Sequence, residues 1–166
     1  MVETGWFESE IGLTTVAIRM VAAVAFGAII GFDREYLARP AGLRTHILVA
    51  LAAAAFTIVA LELVRRGIGG GSALSLDPTR VVEAITAGVA FLAAGTIIQS
   101  RGRVHGLTTG AGLWLAGAIG MACGIGALAV AAITTALGFV VLVVLRLVER
   151  RMPQADSSKE APADDR

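Results

Sequence analysis

The stretch Gly31-Phe32-Asp33-Arg34-Glu35-Tyr36-Leu37-Ala38-Arg39-Pro40-Ala41-Gly42-Leu43-Arg44-Thr45-His46 decides how this chain is read. It is a charged run wedged between two apolar segments, and Pro40 and Gly42 break any helix that would cross it. A short polar turn held at a membrane face fits both facts. Charges kept this close to hydrocarbon are costly and are usually positioned for a reason.

Outward from that turn, 56% of the chain is hydrophobic and only 16% is charged. A soluble domain carries about 45–50% apolar and about 25% charged residues, so the apolar excess calls for lipid as solvent. A net charge of +1 and a single lysine, Lys159, provide no basic patch and argue against nucleic acid as a partner. Cys123 has no second cysteine to pair with and reads as a packed small residue. The N-terminus carries Glu3, Glu8 and Glu10 rather than a basic region, so the first apolar segment is expected to be retained.

A bilayer crossing needs about 20 mostly apolar residues. Five segments qualify: Leu13–Phe32, Thr45–Leu63, Val81–Ile98, Leu107–Ala122 and Ala127–Val148. The expected fold is an all-α membrane protein of five transmembrane helices, with residues 1–152 as the membrane domain and 153–166 as a disordered cytoplasmic tail. Cys123-Gly124-Ile125-Gly126 leaves room only for a tight turn between spans four and five. Basic residues in short loops set orientation. With the N-terminus outside, Arg34, Arg39, Arg44, Arg101, Arg103, Arg146, Arg150 and Arg151 lie inside, against Arg65, Arg66 and Arg80 outside, which favours N-out, C-in. The Gly-rich run Gly67–Ser72 reads as a connector, and Asp77-Pro78 as the capped start of a helix.

Small residues recur at every fourth position: Ala23, Gly27 and Gly31; Ala84 and Gly88; Gly106 and Gly110; Gly120 and Gly124. In lipid such stripes let helix backbones approach closely, and the first is the expected contact face. Val24-Ala25-Phe26 is echoed by Val89-Ala90-Phe91, and Gly42-Leu43-Arg44-Thr45 by Gly106-Leu107-Thr108-Thr109. The echo suggests a parallel repeat, spans one–two onto spans three–four, about an axis along the membrane normal.

Two polar clusters follow from this topology. The inner one holds Asp33, Arg34, Glu35, Arg39, Pro40, Gly42, Arg44, Thr45 and His46, facing Arg101, Arg103, His105, Thr108 and Thr109. It reads either as a clasp of ion pairs between two loops or as a recognition surface for a partner or an ion. His46 is placed to cap, to pair with a carboxylate or to titrate. The outer cluster joins Arg19, Glu62 and Glu83; Arg19 is expected to pair with Glu83 first and Glu62 second, or to snorkel. Trp114, in mid-span, is expected to pack on a neighbouring helix, and Trp6 and Phe7 to lie at the outer interface. No cofactor is expected. Mg²⁺ is the one alternative, with Asp33 and Glu35 as candidate ligands that the nearby arginines would neutralise. No nucleophile–base pair and no zinc motif is present, so no enzyme is expected.

The run from Gly31 to His46 resembles the first signature of the MgtC/SapB family of bacterial inner-membrane proteins. Gly88-Val89-Ala90-Phe91-Leu92-Ala93-Ala94-Gly95-Thr96-Ile97-Ile98, Val104-His105-Gly106-Leu107-Thr108-Thr109, Leu113-Trp114 and Ala118-Ile119-Gly120 extend the resemblance over about residues 16–148. It implies a five-span domain of the inner membrane linked to magnesium limitation and virulence. It also implies a regulator of another membrane protein, the membrane sector of ATP synthase, with a Mg²⁺ or other ion transporter as the alternative. A homo-oligomer is a further expectation. Thr108 stands at a family position tied to virulence, where a better-studied member has Asn. Asp33 stands where Glu is commoner, and Ala90 and Ala94 stand where Gly is usual. Many members carry a soluble C-terminal domain, which this sequence does not reach.

Overall fold

The computed structural model describes residues 9–66, 77–100 and 103–151. Glu3, Trp6, Phe7, Glu8, the run Gly67–Ser72, Arg101 and the tail 153–166, for which the sequence raised expectations, lie outside these residues. The elements in order are α1 (Leu13–Tyr36), α2 (Leu43–Arg65), α3 (Pro78–Gly95), β1 (Ile98–Ser100), β2 (Arg103–His105), α4 (Leu107–Ile125) and α5 (Leu128–Arg151). The described chain is thus almost wholly helical, and α1, α2, α4 and α5 are each long and apolar enough to cross a membrane.

Helix α4 is the centre, and its composition explains why. It packs against all four other helices. Gly110, Gly112, Gly117, Gly120 and Gly124 are buried along it, with Leu113, Ala116, Ile119 and Cys123. A Cβ on Gly120 would lie 2.1 Å from the Ala50 carbonyl oxygen, and one on Gly124 would lie 2.6 Å from the Thr57 Cβ. The α2–α4 crossing is therefore the closest backbone approach these glycines permit, which is how helices in lipid gain dispersion without a hydrophobic driving force. The first stripe also packs: Ala23, Gly27 and Gly31 are buried, and a Cβ on Gly27 would come within 2.9 Å of the Ala50 Cβ. Gly88, by contrast, faces open space. The core is small-residue and aliphatic: Ala23, Ile30, Ala54, Ile119, Cys123 and Ala131 in one cluster, and Val49, Ala53, Ile85, Val89, Leu113 and Ala116 in a second.

Three boundaries differ from the sequence expectation, at the ends of α1, α3 and α4. Helix α1 runs on through Asp33, Arg34, Glu35 and Tyr36, so the polar turn is only Leu37–Gly42. Nothing before Ala38 breaks the helix, and two of those charges are buried against partners. The third helix starts at Pro78 with Asp77 as cap, as the sequence indicated, and the Asp77 carboxylate accepts from the Thr79 N–H at 2.9 Å. It ends at Gly95, where the Thr96 hydroxyl donates to the Ala93 carbonyl at 2.7 Å. The segment expected to finish that span, Ile97–Ile98, instead enters a two-stranded antiparallel hairpin pairing Ile98 with His105, Gln99 with Val104 and Ser100 with Arg103. Finally, α4 continues to Ile125. Gly126, in the left-handed region at φ 88°, closes it as the Ala127 N–H donates to the Ala122 carbonyl at 2.9 Å. Trp114 is 55% exposed on the outer face of α4 rather than packed between helices.

The two connections of the proposed repeat differ: a six-residue turn joins α1 to α2, and a hairpin joins α3 to α4. A groove of about 920 Å³ runs between α2 and α3, lined by Val49, Phe56, Ala84, Gly88 and Leu92 among others.

Candidate functional site

The polar end of the bundle is assembled from the last turn of α1, the turn after it, the hairpin with the start of α4, and the far end of α5. Asp33 and Arg34 are adjacent in α1, and both are buried, at 8% and 6% exposure. They reach different helices. Arg146 of α5 donates to the Asp33 carboxylate at 2.8 Å. Arg34 Nη2 donates to Thr109 Oγ1 of α4 at 2.6 Å, inside the protein. Two consecutive residues thus tie α1 to α5 and to α4. A fully charged guanidinium is retained because its partners are charge-complementary or hydrogen-bonding.

Around these contacts lies a pocket of about 500 Å³. Asp33, Arg34, Arg39, Pro40, Thr108 and Thr109 line it together with His105, Gly106 and Arg146. Of the inner residues singled out in the sequence, those six and His105 share the cavity. Glu35, Gly42, Arg44, Thr45 and His46 do not line it. Arg146 is the residue that site reasoning from the sequence passed over. The signal was an isolated arginine near the end of an apolar helix, on the side already assigned to Asp33.

The remaining residues of the turn serve the backbone. Glu35 Oε2 accepts from the Leu43 N–H at 3.0 Å, so the end of α1 caps the start of α2, whose own N-cap, Gly42, has no side chain to do so. A Cβ on Gly42 would sit 1.8 Å from that oxygen, which is why glycine stands there. Ala38 and Ala41 hold positive φ of 49° and 55°, a conformation that costs non-glycine residues about 1–3 kcal/mol each. His46 is fully buried; its Nδ1 donates to the Gly42 carbonyl at 2.9 Å, and its Nε2 is buried without a partner beside Gly112. The ring therefore neither caps the helix nor meets a carboxylate. Arg39 and Arg44 are exposed, as are Thr108 and His105.

The candidate Mg²⁺ pair is divided: Asp33 faces Arg146 and Glu35 faces the α2 backbone. Among the described residues no group of three or more His, Cys, Asp or Glu side chains is placed to hold a metal ion. The donor set does not fit Mg²⁺, since each carboxylate is already committed elsewhere.

At the opposite end, the expected cluster of Arg19, Glu62 and Glu83 is not assembled. Arg19 Nη1 donates to the Gly124 carbonyl at 2.8 Å, at the C-terminus of α4. Glu62 accepts from the Ser9 hydroxyl and from the backbone N–H groups of Glu10 and Ile11 at 3.0 and 3.1 Å, and pairs with Arg66 at 3.6 Å. Glu83 is exposed on α3. The reason is that helix ends in this setting leave carbonyls and N–H groups unsatisfied, and their partial charges attract the nearest full charge. The Arg19 guanidinium meets that need at the C-terminus of α4, and the Glu62 carboxylate takes up backbone N–H groups in the turn just before α1. At the start of α3, the hydrogen bond from the Thr79 N–H holds the Asp77 carboxyl below its ordinary range.

The model of the MgtC family matches residues 20–151. The chain is 38% identical over 134 residues to Protein MgtC of Brucella abortus, covering 81% of this chain and 52% of that protein. It is 35% identical over 145 residues to Protein MgtC of Salmonella paratyphi A, covering 87% and 58%. It is 38% identical over 120 residues to Protein SrpB of Synechococcus elongatus, covering 67% and 64%. The chain spans little more than half the length of the MgtC proteins it matches. No solved structure matches it.

Proposed function

The chain belongs to the MgtC family, a set of multi-pass proteins of the bacterial inner membrane, and from that premise we propose that it is a membrane-embedded regulator of another membrane protein. The proposed partner is the membrane sector of ATP synthase, and the proposed setting is magnesium limitation and virulence. The observation that carries the reading is the division of labour at the polar end. Asp33, Arg34, Arg146 and Thr109 lock α1, α4 and α5 together. Arg39 stays exposed on the turn, and Arg44 at the start of α2, beside the contacts that hold this end in place. A fixed scaffold presenting free guanidiniums suits docking to a protein surface.

Packing also weighs against a transport path through one copy. Mid-bundle, the described helices meet through Ala23, Ile30, Ala50, Ala54, Leu113 and Ile119, all at most 2% exposed. In this reading α3 is the fifth crossing and the arrangement is N-out, C-in, which puts the Leu37–Gly42 turn at the cytosolic boundary. Residues 1–152 then act as one membrane domain, which self-associates if the partner is engaged as an oligomer. Spans one–two and three–four are related by the rough two-fold axis that the sequence echo suggests. Superposing 16–62 on 81–122 tests that relation.

The functional test is co-purification from native membranes. Subunits of the ATP synthase membrane sector should accompany the wild-type chain and be lost with Arg39→Ala or Arg44→Ala, both exposed positions. Retention of the partner by both variants would exclude this face as the contact. Mg²⁺ flux through the purified chain in liposomes would overturn the regulator reading in favour of transport. A thiol placed at position 37 should resist impermeant reagents added to intact cells; labelling from outside would reverse the orientation.

A further inference from the structure

We propose that the pocket at the Arg34 end binds a phosphate group carrying net negative charge. The proposal concerns a small ligand rather than a protein partner, and it stands whether or not the regulator reading does. Charge is the first argument. The pocket is lined by three guanidiniums, Arg34, Arg39 and Arg146, and by a single carboxylate, Asp33. Asp33 is committed to Arg146 at 2.8 Å. Arg34 is left with the neutral Thr109 hydroxyl, and its Nε is buried without a partner. Arginine cannot shed its proton to relieve this. Three guanidiniums against one carboxylate leave the pocket net positive, and excess buried charge is costly, so a negative ligand is the missing element.

The second argument is independent. Helix α4 begins in the same pocket at Gly106, Leu107, Thr108 and Thr109, and its N-cap makes no side-chain hydrogen bond. The residues that carry its first N–H groups therefore lie on the cavity wall, at the positive end of a 19-residue helix, where phosphate oxygens are favoured acceptors. Arginine adds planar, paired donors that match a phosphate.

The walls are mixed. Beside the cationic floor, Val141, Leu142 and Leu145 of α5 line the cavity, and Val141 and Leu145 are more than half exposed on the face turned to lipid. A phospholipid headgroup would set its phosphate against Arg34 and Arg39 and its chains along α5. A free phosphate shares the same polar contacts.

The test uses the purified full chain in detergent. Native mass spectrometry after adding phosphatidylglycerol or phosphatidylcholine should detect retention of the anionic lipid at a tenfold or lower concentration than the zwitterionic one. Arg39→Gln, at an exposed position that leaves the buried contacts intact, should weaken retention about tenfold. Thr108→Glu, which places a carboxylate at the start of α4, should abolish it. Arg80→Gln, on α3, should leave it unchanged. A rise in melting temperature with inorganic phosphate would identify free phosphate as a ligand; a rise only with phosphatidylglycerol would identify the lipid. Equal retention of the two lipids with no shift from phosphate would overturn the proposal. So would equal losses in Arg39→Gln and Arg80→Gln.

Discussion

Replacing Gly120 by alanine should destabilise the protein, although the same change at Gly88 should stabilise it. Both positions are helical, and alanine is favoured over glycine in a helix interior by about 1 kcal/mol. At Gly88 a new Cβ meets nothing within 4 Å, so this gain stands alone. At Gly120 it would lie 2.1 Å from the Ala50 carbonyl oxygen and 2.8 Å from the Ala50 carbonyl carbon, both backbone atoms that no rotamer change can move. Ordinary contact begins at 3.4 Å, so α2 and α4 must separate by about 1.3 Å. A gap of about 0.5–1 Å already forfeits a quarter to a half of each dispersion well, and this crossing also carries Ala54, Thr57, Gly124 and Cys123. Overpacking of this kind costs about 1–3 kcal/mol or more, which outweighs the propensity gain. The two variants should differ by about 3 kcal/mol. Reversible unfolding in mixed micelles, followed by circular dichroism, measures the difference. If Gly120→Ala matched Gly88→Ala in stability, the close α2–α4 crossing would be refuted.

The remaining predictions address the charged groups. Asp33→Asn and Arg146→Gln should show a coupling of about 1–2 kcal/mol in a double-mutant cycle, less than a fully buried pair because the Arg146 side chain is 24% exposed; simple additivity would mean the two do not pair. Arg19→Met should cost about 1.5–3 kcal/mol through the lost bond to the Gly124 carbonyl, whereas Glu83→Gln should stay within about 0.5 kcal/mol, and equal effects would restore an Arg19–Glu83 pair. Glu35→Ala should cost about 1 kcal/mol as the cap of α2 is lost, and Gly42→Ala should add little on top of it, since its Cβ displaces the same carboxylate; full additivity would separate the two residues. The Asp77 carboxyl titrates below its ordinary value of 3.8 when folded, so its contribution is present above that pH and lost as pH falls through the lower folded value. Asp77→Asn should remove this acid dependence at the start of α3, as read by hydrogen exchange, and an unchanged profile would assign it to another group.

Lipid as solvent, the order of the five helices and the four segments of membrane-crossing length were legible in the chain itself. They depend on composition and on lengths of uninterrupted apolar residues, quantities that need no three-dimensional neighbour. The Asp77-Pro78 helix start belongs with them, because a cap acts within one turn. So do the glycines, whose presence signals close approach, although not which helix each one meets.

Only the folded chain decided the partners. Arg19 and Glu35 could each have met an opposite charge and were taken instead by helix ends, while Glu62 meets Arg66 and also the backbone just before α1. A backbone terminus offers several unsatisfied groups at once, where a distant side chain offers one. The same competition joined Asp33 to Arg146, more than a hundred positions along the chain, and left Arg34 against a threonine. Ionic pairing is set by separation in space after the helices have packed, and packing here follows the glycines of α4, whose facing partners no local pattern records.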